Sequence, residues 1–193
     1  METTDPAVAA AAVADGDLVV YPTETVYGLG AYALDADAVA RVFAAKRRDR
    51  DKPVSMAAGS VDAALEYVEA TDREERFMRE FLPGPVTVVL GRGPGVPDAL
   101  TGGRDRVGVR VPDCEPALAL LGETGPLTAT SANVSGRPSV RRVADLDPGV
   151  REAVAVVLDD GETPGGTPST VVDVGRGEIH RRGAAAEAVE AWL

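Results

Sequence analysis

Cysteine, histidine, lysine and aromatic residues are all scarce in this 193-residue chain. The single cysteine, Cys114, cannot form an internal disulfide or a multi-thiolate zinc site, and the single histidine, His180, leaves no two-histidine metal site. His180 lies in a different segment, and no other histidine could activate Cys114, so we expect this cysteine in a loop or helix cap. The side chains available for chemistry are therefore mainly hydroxyls, amides, carboxylates and arginines.

Long apolar runs are also absent. No stretch approaches the roughly 18 residues that a membrane-spanning helix needs, and residues 1–17 contain no basic residue, so they do not predict a secretory signal. We therefore expect no membrane association and a cytoplasmic location. The length suits one domain with a real core, and we predict a single domain over residues 1–193.

The chain carries a formal net charge of −11. Such an acidic balance argues against general affinity for nucleic acid, which requires clustered cations. Only two of the 20 basic residues are lysines. Few lysines and many acidic residues favour a halophilic protein, whose surface charges are screened by salt; a GC-rich genome drifting towards Ala and Arg would leave the same composition.

Helical and strand-like patterns alternate along the chain, which predicts a layered α/β fold. The predicted helices cover 6–15, 36–47, 61–69, 72–82, 116–122, 141–153 and 184–192. The predicted strands cover 18–21, 53–57, 86–90, 107–111, 127–130, 153–158 and 169–174. Gly- and Pro-rich segments at 83–85, 91–103 and 161–168 are expected to be loops around a site.

The common nucleotide-binding motifs do not fit. No Gly-Lys-Ser/Thr occurs, so there is no P-loop. Residues 28–33, GLGAYA, loosely match a dinucleotide fingerprint. The next helix begins only near Asp35, and the segment about 20 residues on is basic rather than acidic, which disfavours that interpretation.

The strongest local signal is the basic heptad KRRDRDK at 46–52, which contains both lysines, Lys46 and Lys52, and carries a net charge of +3. A lysine ammonium is a compact charge suited to phosphate. The heptad could equally be a solvated, cationic helix end that complements the helix dipole.

Three further segments carry polar groups at strand ends. YPTETVYGLG (21–30) places Thr23 and Thr25 after an apolar strand, and 128–139 and 165–174 are rich in Ser, Thr, Asn and Gly. Such residues often satisfy only local backbone, but six short polar side chains in 128–139 exceed the needs of one turn. Arg110, inside an apolar strand, requires an anion, either a structural carboxylate or a substrate.

Six motifs, taken in order, resemble those of the YrdC/TsaC family of threonylcarbamoyl-AMP synthases, and the resemblance covers residues 1 to about 183. The motifs are YPTETVYGLGA, Lys46-x-Arg48 with DKPVSM, LPGPVTVVL, VGVRVP, TSANVSGRPS and STVVDV. The resemblance implies a YrdC-like twisted mixed sheet with flanking helices around a deep basic cavity. It implies that L-threonine, bicarbonate and ATP, with Mg²⁺, give threonylcarbamoyl-AMP and pyrophosphate. The product would serve threonylcarbamoylation of adenosine 37 in tRNAs reading codons that begin with A.

The resemblance also implies site residues. Its KxR and SxN motifs assign catalysis to Lys46, Arg48, Ser131 and Asn133. Threonine would bind Thr23, Arg110 and Ser169, and ATP would bind Lys46, Arg48, Arg50, Ser131, Asn133, Ser139 and Arg181; no protein metal ligand is assigned. Two departures from the family pattern are Asp49, where a proline is usual, and IHRRGA (179–184), which leaves the choice between Arg181 and Arg182 open.

The expected partners are the three substrates and a downstream tRNA threonylcarbamoyl transferase, with a possible weak RNA contact. Two other functions remain open. An RNA-binding module would spread its cations over a surface rather than concentrate them in one heptad. A carbamoyl-adenylate transferase like that of hydrogenase maturation proteins would be accompanied by zinc-finger and acylphosphatase domains.

Overall fold

Eleven strands form one mixed, twisted sheet in a computed structural model that describes residues 1–193. The strands are β1 (Glu2–Thr3), β2 (Val19–Tyr21), β3 (Gly28–Gly30), β4 (Ser55–Ala57), β5 (Val68–Glu69), β6 (Val86–Arg92), β7 (Arg106–Arg110), β8 (Leu127–Ser131), β9 (Val156–Leu158), β10 (Thr170–Asp173) and β11 (Glu178–Arg181). Their order is β1-β9-β2-β3-β8-β4-β7-β6-β10-β11, with β5 paired to β6. The predicted mixed α/β fold is confirmed.

Eight α-helices flank the sheet. They are α1 (Pro6–Ala14), α2 (Ala36–Lys46), α3 (Val61–Leu65), α4 (Asp72–Phe81), α5 (Asp98–Thr101), α6 (Glu115–Thr124), α7 (Pro148–Ala153) and α8 (Ala186–Trp192), with a 3₁₀ turn at Val143–Asp145. The Asp35 side chain accepts hydrogen bonds from the first free backbone N–H groups of α2. Thr71 and Glu74 form a capping box that starts α4.

The central strands have two chemically different faces because side chains alternate along a strand. In β7, Val107 and Val109 are buried in the largest apolar cluster, together with Val88 of β6 and Val172 of β10. The intervening residues of these strands point to the opposite face and line a cavity. This alternation makes the sheet both the wall of the core and the floor of the site.

Four strands and one helix were not predicted. The clearest case is β3, whose Gly28 and Gly30 pair antiparallel with Tyr21 and Val19 of β2. A Cβ on Gly28 would lie 2.9 Å from the Tyr21 ring, so the strand depends on the absence of side chains. Because residues 28–33 form a strand and a bridge between β2 and β8, they do not open a helix and are not a dinucleotide fingerprint.

Other boundaries moved for local reasons. The helix predicted over 61–69 ends at Leu65, because Val68 and Glu69 pair with β6. The helix predicted over 141–153 is replaced by the 3₁₀ turn and then α7, which starts at Pro148 behind an Asp147 cap. Helix α5, β1 and β11 are short elements within segments without a clear periodic pattern. None of the helices has both the length and the hydropathy required to traverse a lipid bilayer.

Candidate active site

A cavity of about 800 Å³ opens on the face of the sheet opposite the main core. Nine of the ten predicted site residues line it, and they come from sequence segments up to 158 residues apart: Thr23, Lys46, Arg48, Arg110, Ser131, Asn133, Ser139, Ser169 and Arg181. Arg50 is exposed and lies outside the lining. The fold therefore brings together the segments that sequence analysis singled out.

Positive charge is concentrated in this cavity. Seven cationic side chains and two carboxylates line it, namely Lys46, Arg48, Arg104, Arg106, Arg110, Arg176 and Arg181 against Asp105 and Asp173. This excess contrasts with the net charge of −11 on the whole chain. A cationic cavity in an acidic protein focuses electrostatic potential on anionic ligands.

The end of α2 aims Lys46 and Arg48 at the same cavity. In a continuing helix, two residues two positions apart are rotated by about 200° around the helix axis, so their side chains would point to nearly opposite sides. Arg47 between them ends the helix in the left-handed conformation, with φ 49° and ψ 43°. The change in backbone direction at Arg47 lets the side chains on either side of it converge on the cavity.

Lys46 is almost completely buried, with 2% of its surface exposed. Its ammonium donates hydrogen bonds to the backbone carbonyls of Ser131 and Asn133, the latter over 2.7 Å. Burial, with a smaller contribution from the positive charge of Arg48, lowers the pKa of Lys46 to about 8. One lysine thus joins the end of α2 to the loop that follows β8.

Arg48 folds back over its own loop. Its guanidinium donates to the carbonyls of Lys52 and Pro53, both over 3.0 Å, and burial lowers its pKa. Asp49, at the position of the family proline, forms an exposed ion pair with Lys52. The two lysines of the heptad therefore occupy opposite environments, one inside the cavity and one on the surface.

The loop after β8 is shaped by its own polar groups. The Asn133 amide donates to the carbonyls of Val134 and Arg137, and its Oδ1 is buried without a partner. The backbone N–H of Ser135 donates to the carbonyl of Lys46 over 2.9 Å, so α2 and this loop are joined in both directions. Some of the polar side chains in 128–139 satisfy the backbone, whereas Ser131 and Ser139 face the cavity.

Thr23 organises the turn between β2 and β3. Its hydroxyl accepts from the N–H groups of Thr25 and Val26, lies 2.9 Å from the Thr25 hydroxyl and donates to the carbonyl of Val26. These contacts engage Thr23 locally. Thr23 and Thr25 both line the cavity.

The anion that Arg110 requires is a structural carboxylate. Its Nη2 lies 2.5 Å from Oε1 of Glu24, and the two side chains are only 11% and 13% exposed. The sequence placed Glu24 in YPTET but did not predict this pairing. The available signal was the pair of complementary charges, Glu24 after one apolar strand and Arg110 inside another.

Arg181, also in the cavity lining, donates to the carbonyl and hydroxyl of Ser169, both over 2.9 Å, and the Ser169 hydroxyl lies 2.9 Å from that of Thr87. Partial burial and the nearby positive charge of Arg110 lower the pKa of Arg181. Arg182 instead forms an exposed ion pair with Glu190. Of these two adjacent arginines, Arg181 belongs to the cavity.

A buried charge network that the sequence did not predict lies at the end of β10. Arg106 donates to Asp173 over 2.9 Å and lies 3.6 Å from Glu74. Asp173, whose side chain is fully buried, also accepts from the N–H of Arg176. This carboxylate is engaged by arginine, and no cluster of three His, Cys, Asp or Glu side chains is arranged to hold a metal ion.

The fold and the cavity define a mixed α/β protein with a cavity on its sheet that is lined mainly by cationic side chains and is suited to anionic ligands. The sequence profile of the Sua5/YciO/YrdC family, described as "Telomere recombination", matches residues 11–183. The chain belongs to this family.

Similar proteins include the threonylcarbamoyl-AMP synthase of Pyrococcus abyssi, 42% identical over 170 residues, covering 86% of this chain and 50% of that protein. The threonylcarbamoyl-AMP synthase of Xanthomonas axonopodis is 37% identical over 185 residues, covering 93% and 98%. The crystal structure of P. abyssi Sua5 complexed with L-threonine matches with a TM-score of 0.88 and 39% identity, covering 97% and 57%. The chain spans about half of the length of the first relative.

Proposed function

We propose that this protein is an L-threonylcarbamoyladenylate synthase, a nucleotidyltransferase that converts L-threonine, bicarbonate and ATP into threonylcarbamoyl-AMP and pyrophosphate. The observation that carries the proposal is the convergence of Lys46, Arg48, Ser131 and Asn133 on one cavity that also contains Arg110 and Arg181. The threonine bound to P. abyssi Sua5 and the names of the relatives support it.

Arg110 and Ser169 belong to the threonine end of the proposed site. An arginine fork is suited to the α-carboxylate, and hydroxyl groups near it are suited to the polar groups of threonine. The amine attacks CO2 derived from bicarbonate, forming an N–C bond and losing a proton, which gives a carbamate. No protein nucleophile is required for this step, consistent with the single half-buried Cys114 outside the cavity.

The end of the proposed site that would bind the phosphates of ATP comprises Lys46, Arg48, Ser131, Asn133 and Ser139. A carbamate oxygen attacks the α-phosphorus of ATP, the bond to the β-phosphate oxygen breaks, and pyrophosphate leaves with the bonding electrons. The negative charge that grows on the phosphates is stabilised by the fixed ammonium and guanidinium groups. The protein's task is to position two substrates and to stabilise charge.

The residues present do not form a resident Mg²⁺ site. One of the two cavity carboxylates, Asp173, is held by Arg106 and by the N–H of Arg176. Mg²⁺ commonly binds through substrate phosphates and water, so we propose that it accompanies ATP rather than occupying a site of the protein. We assign no step of the reaction to it.

The test is pyrophosphate release measured while each substrate is omitted in turn. We expect release only with threonine, bicarbonate and ATP together. The kcat/KM for serine, which lacks the methyl group, should be at least about tenfold lower than that for threonine. Equal release without threonine would instead indicate an ATPase. The product would pass to a tRNA threonylcarbamoyl transferase in the cytoplasm, and any RNA contact of this chain itself would be weak.

A further inference from the structure

Glu24 lies in the wall between two cavities. It contacts Arg110, which lines the larger cavity, but Glu24 does not line that cavity itself; it lines a neighbouring smaller one together with Asp113, Glu115 and other acidic residues. Glu24 therefore reaches Arg110 from behind the wall of the proposed site. Because Glu24 does not line the cavity of the proposed site, its carboxylate does not contact the substrates directly.

Arg110 requires such an anion. Arg110 is largely withdrawn from water, and its positive charge is close enough to Arg181 to lower the pKa of that residue. Two adjacent guanidinium groups repel each other, and burial strengthens that repulsion. The carboxylate of Glu24 is the counter-charge that holds Arg110 at the wall despite Arg181.

The backbone of Glu24 is fixed on both sides. The hydroxyl of Thr23 accepts from the N–H groups of Thr25 and Val26, and the hydroxyl of Thr163 donates to the carbonyl of Thr25 over 3.1 Å. A side chain on a fixed backbone can set the orientation of its partner. Glu24 engages only one nitrogen of Arg110, so the guanidinium fork keeps donors for a second carboxylate.

We propose that Glu24 is a positioning residue for threonine binding: its carboxylate holds the Arg110 guanidinium in the orientation that receives the substrate's α-carboxylate. This inference rests on the proposed function and adds a residue that does not touch the substrate. A neutral residue at position 24 leaves Arg110 without its counter-charge, and the guanidinium then turns away from Arg181 and from the substrate.

The experiment compares Glu24→Gln with Asp113→Asn by steady-state pyrophosphate release and by calorimetric binding of threonine. Asp113→Asn is the matched control, because it removes one negative charge from the same small cavity without touching Arg110. We expect Glu24→Gln to raise the KM and Kd for threonine about tenfold or more, with kcat and the KM for ATP little changed. Glu24→Asp keeps the charge but shortens the reach, and should fall between the parent and Glu24→Gln.

A double-mutant cycle separates positioning from a general structural effect. In an Arg110→Met background, Glu24→Gln should add no further loss of threonine binding, because the residue it positions is gone. Threonine affinity equal to that of Asp113→Asn, or tighter than the parent's, overturns the inference. A parent that binds threonine but releases no threonine-dependent pyrophosphate refutes the proposed function, while the calorimetric comparison still decides the role of Glu24.

Discussion

The ammonium of Lys46 donates to the backbone carbonyl of Asn133 over 2.7 Å, joining two motifs that lie 87 residues apart in the chain. A second bond from the same nitrogen reaches the carbonyl of Ser131. Lys46 therefore shapes the loop that presents Ser131 and Asn133, in addition to supplying charge. A point-like donor with three hydrogens can make both bonds and keep a third donor for a ligand.

Exchanging Lys46 for arginine should abolish most activity, whereas the same exchange at Lys52 should not. The guanidinium fork cannot place one charge between two carbonyls in a buried space. We expect Lys46→Arg to lower kcat/KM about 10²–10³-fold, and Lys52→Arg, on an exposed residue paired with Asp49, to remain within about threefold. Initial rates of pyrophosphate release beside thermal melts measure this, and similar rates for the two variants would refute the assigned roles.

ATP binding should weaken at alkaline pH. Burial lowers the pKa of Lys46 to about 8, so above this pH the ammonium loses the proton that attracts phosphate. Calorimetry without threonine should show the Kd for ATP rising up to about tenfold per pH unit above 8. Lys52→Arg should follow the parent, because the pKa of Lys52 is raised by Asp49. A constant Kd from pH 7 to about 10 would contradict a phosphate contact by Lys46.

The protonation state of Lys46 also affects the free energy of unfolding. The folded-state pKa of Lys46 lies below its usual value of 10.5, so its protonated form costs folding free energy at neutral pH. The unfolded chain binds more protons between about pH 8 and 10.5, and the Lys46 contribution to stability therefore rises with pH across that interval. The free energy of unfolding of the parent should rise relative to that of a Lys46→Met variant as the pH is raised through this interval, as measured by chemical unfolding.

Replacing Arg47 by glycine should stabilise the protein. Its left-handed backbone costs a residue with a Cβ about 1–2 kcal/mol, and glycine avoids most of this cost. We expect Arg47→Gly to raise the unfolding free energy by about 1 kcal/mol, or the Tm by about 2–4 °C, with activity retained, because Arg47 is exposed. Arg47→Ala removes the same charge but keeps the Cβ. No gain of the glycine variant over the alanine variant would contradict this explanation.

Salt should stabilise the fold if the composition reflects a halophilic protein. The net charge of −11 produces self-repulsion that salt screens. Exposed ion pairs such as Arg182–Glu190 also weaken in salt, but each such pair contributes little. We therefore expect the Tm to rise between about 0.1 M and about 2 M KCl. A Tm that stays constant or falls over this range would favour genomic drift as the origin of the composition.

Several features were determined by the sequence alone. The short, β-branched segments VTVVL and VGVRV predicted the central strands, and Thr71 with Glu74 predicted the start of α4, because these signals depend on neighbours only a few residues away. Residue chemistry is also local: Arg110 inside an apolar strand required an anion, and the heptad with both lysines allowed either a phosphate contact or a solvated helix end, before any geometry was known.

Only the tertiary structure decided where those side chains point and what they contact. Gly28–Gly30 is a strand because the Tyr21 ring of the neighbouring strand covers it, which no local pattern records. Arg48 faces the cavity and Arg50 faces water, because the chain changes direction at Arg47. Glu24 and Arg110 pair across 86 residues of sequence, although β3, β8 and β4 lie between β2 and β7 in the sheet, so no local pattern and no strand pairing records this contact. Contacts between distant segments depend on packing, which is a property of the whole fold rather than of any short segment.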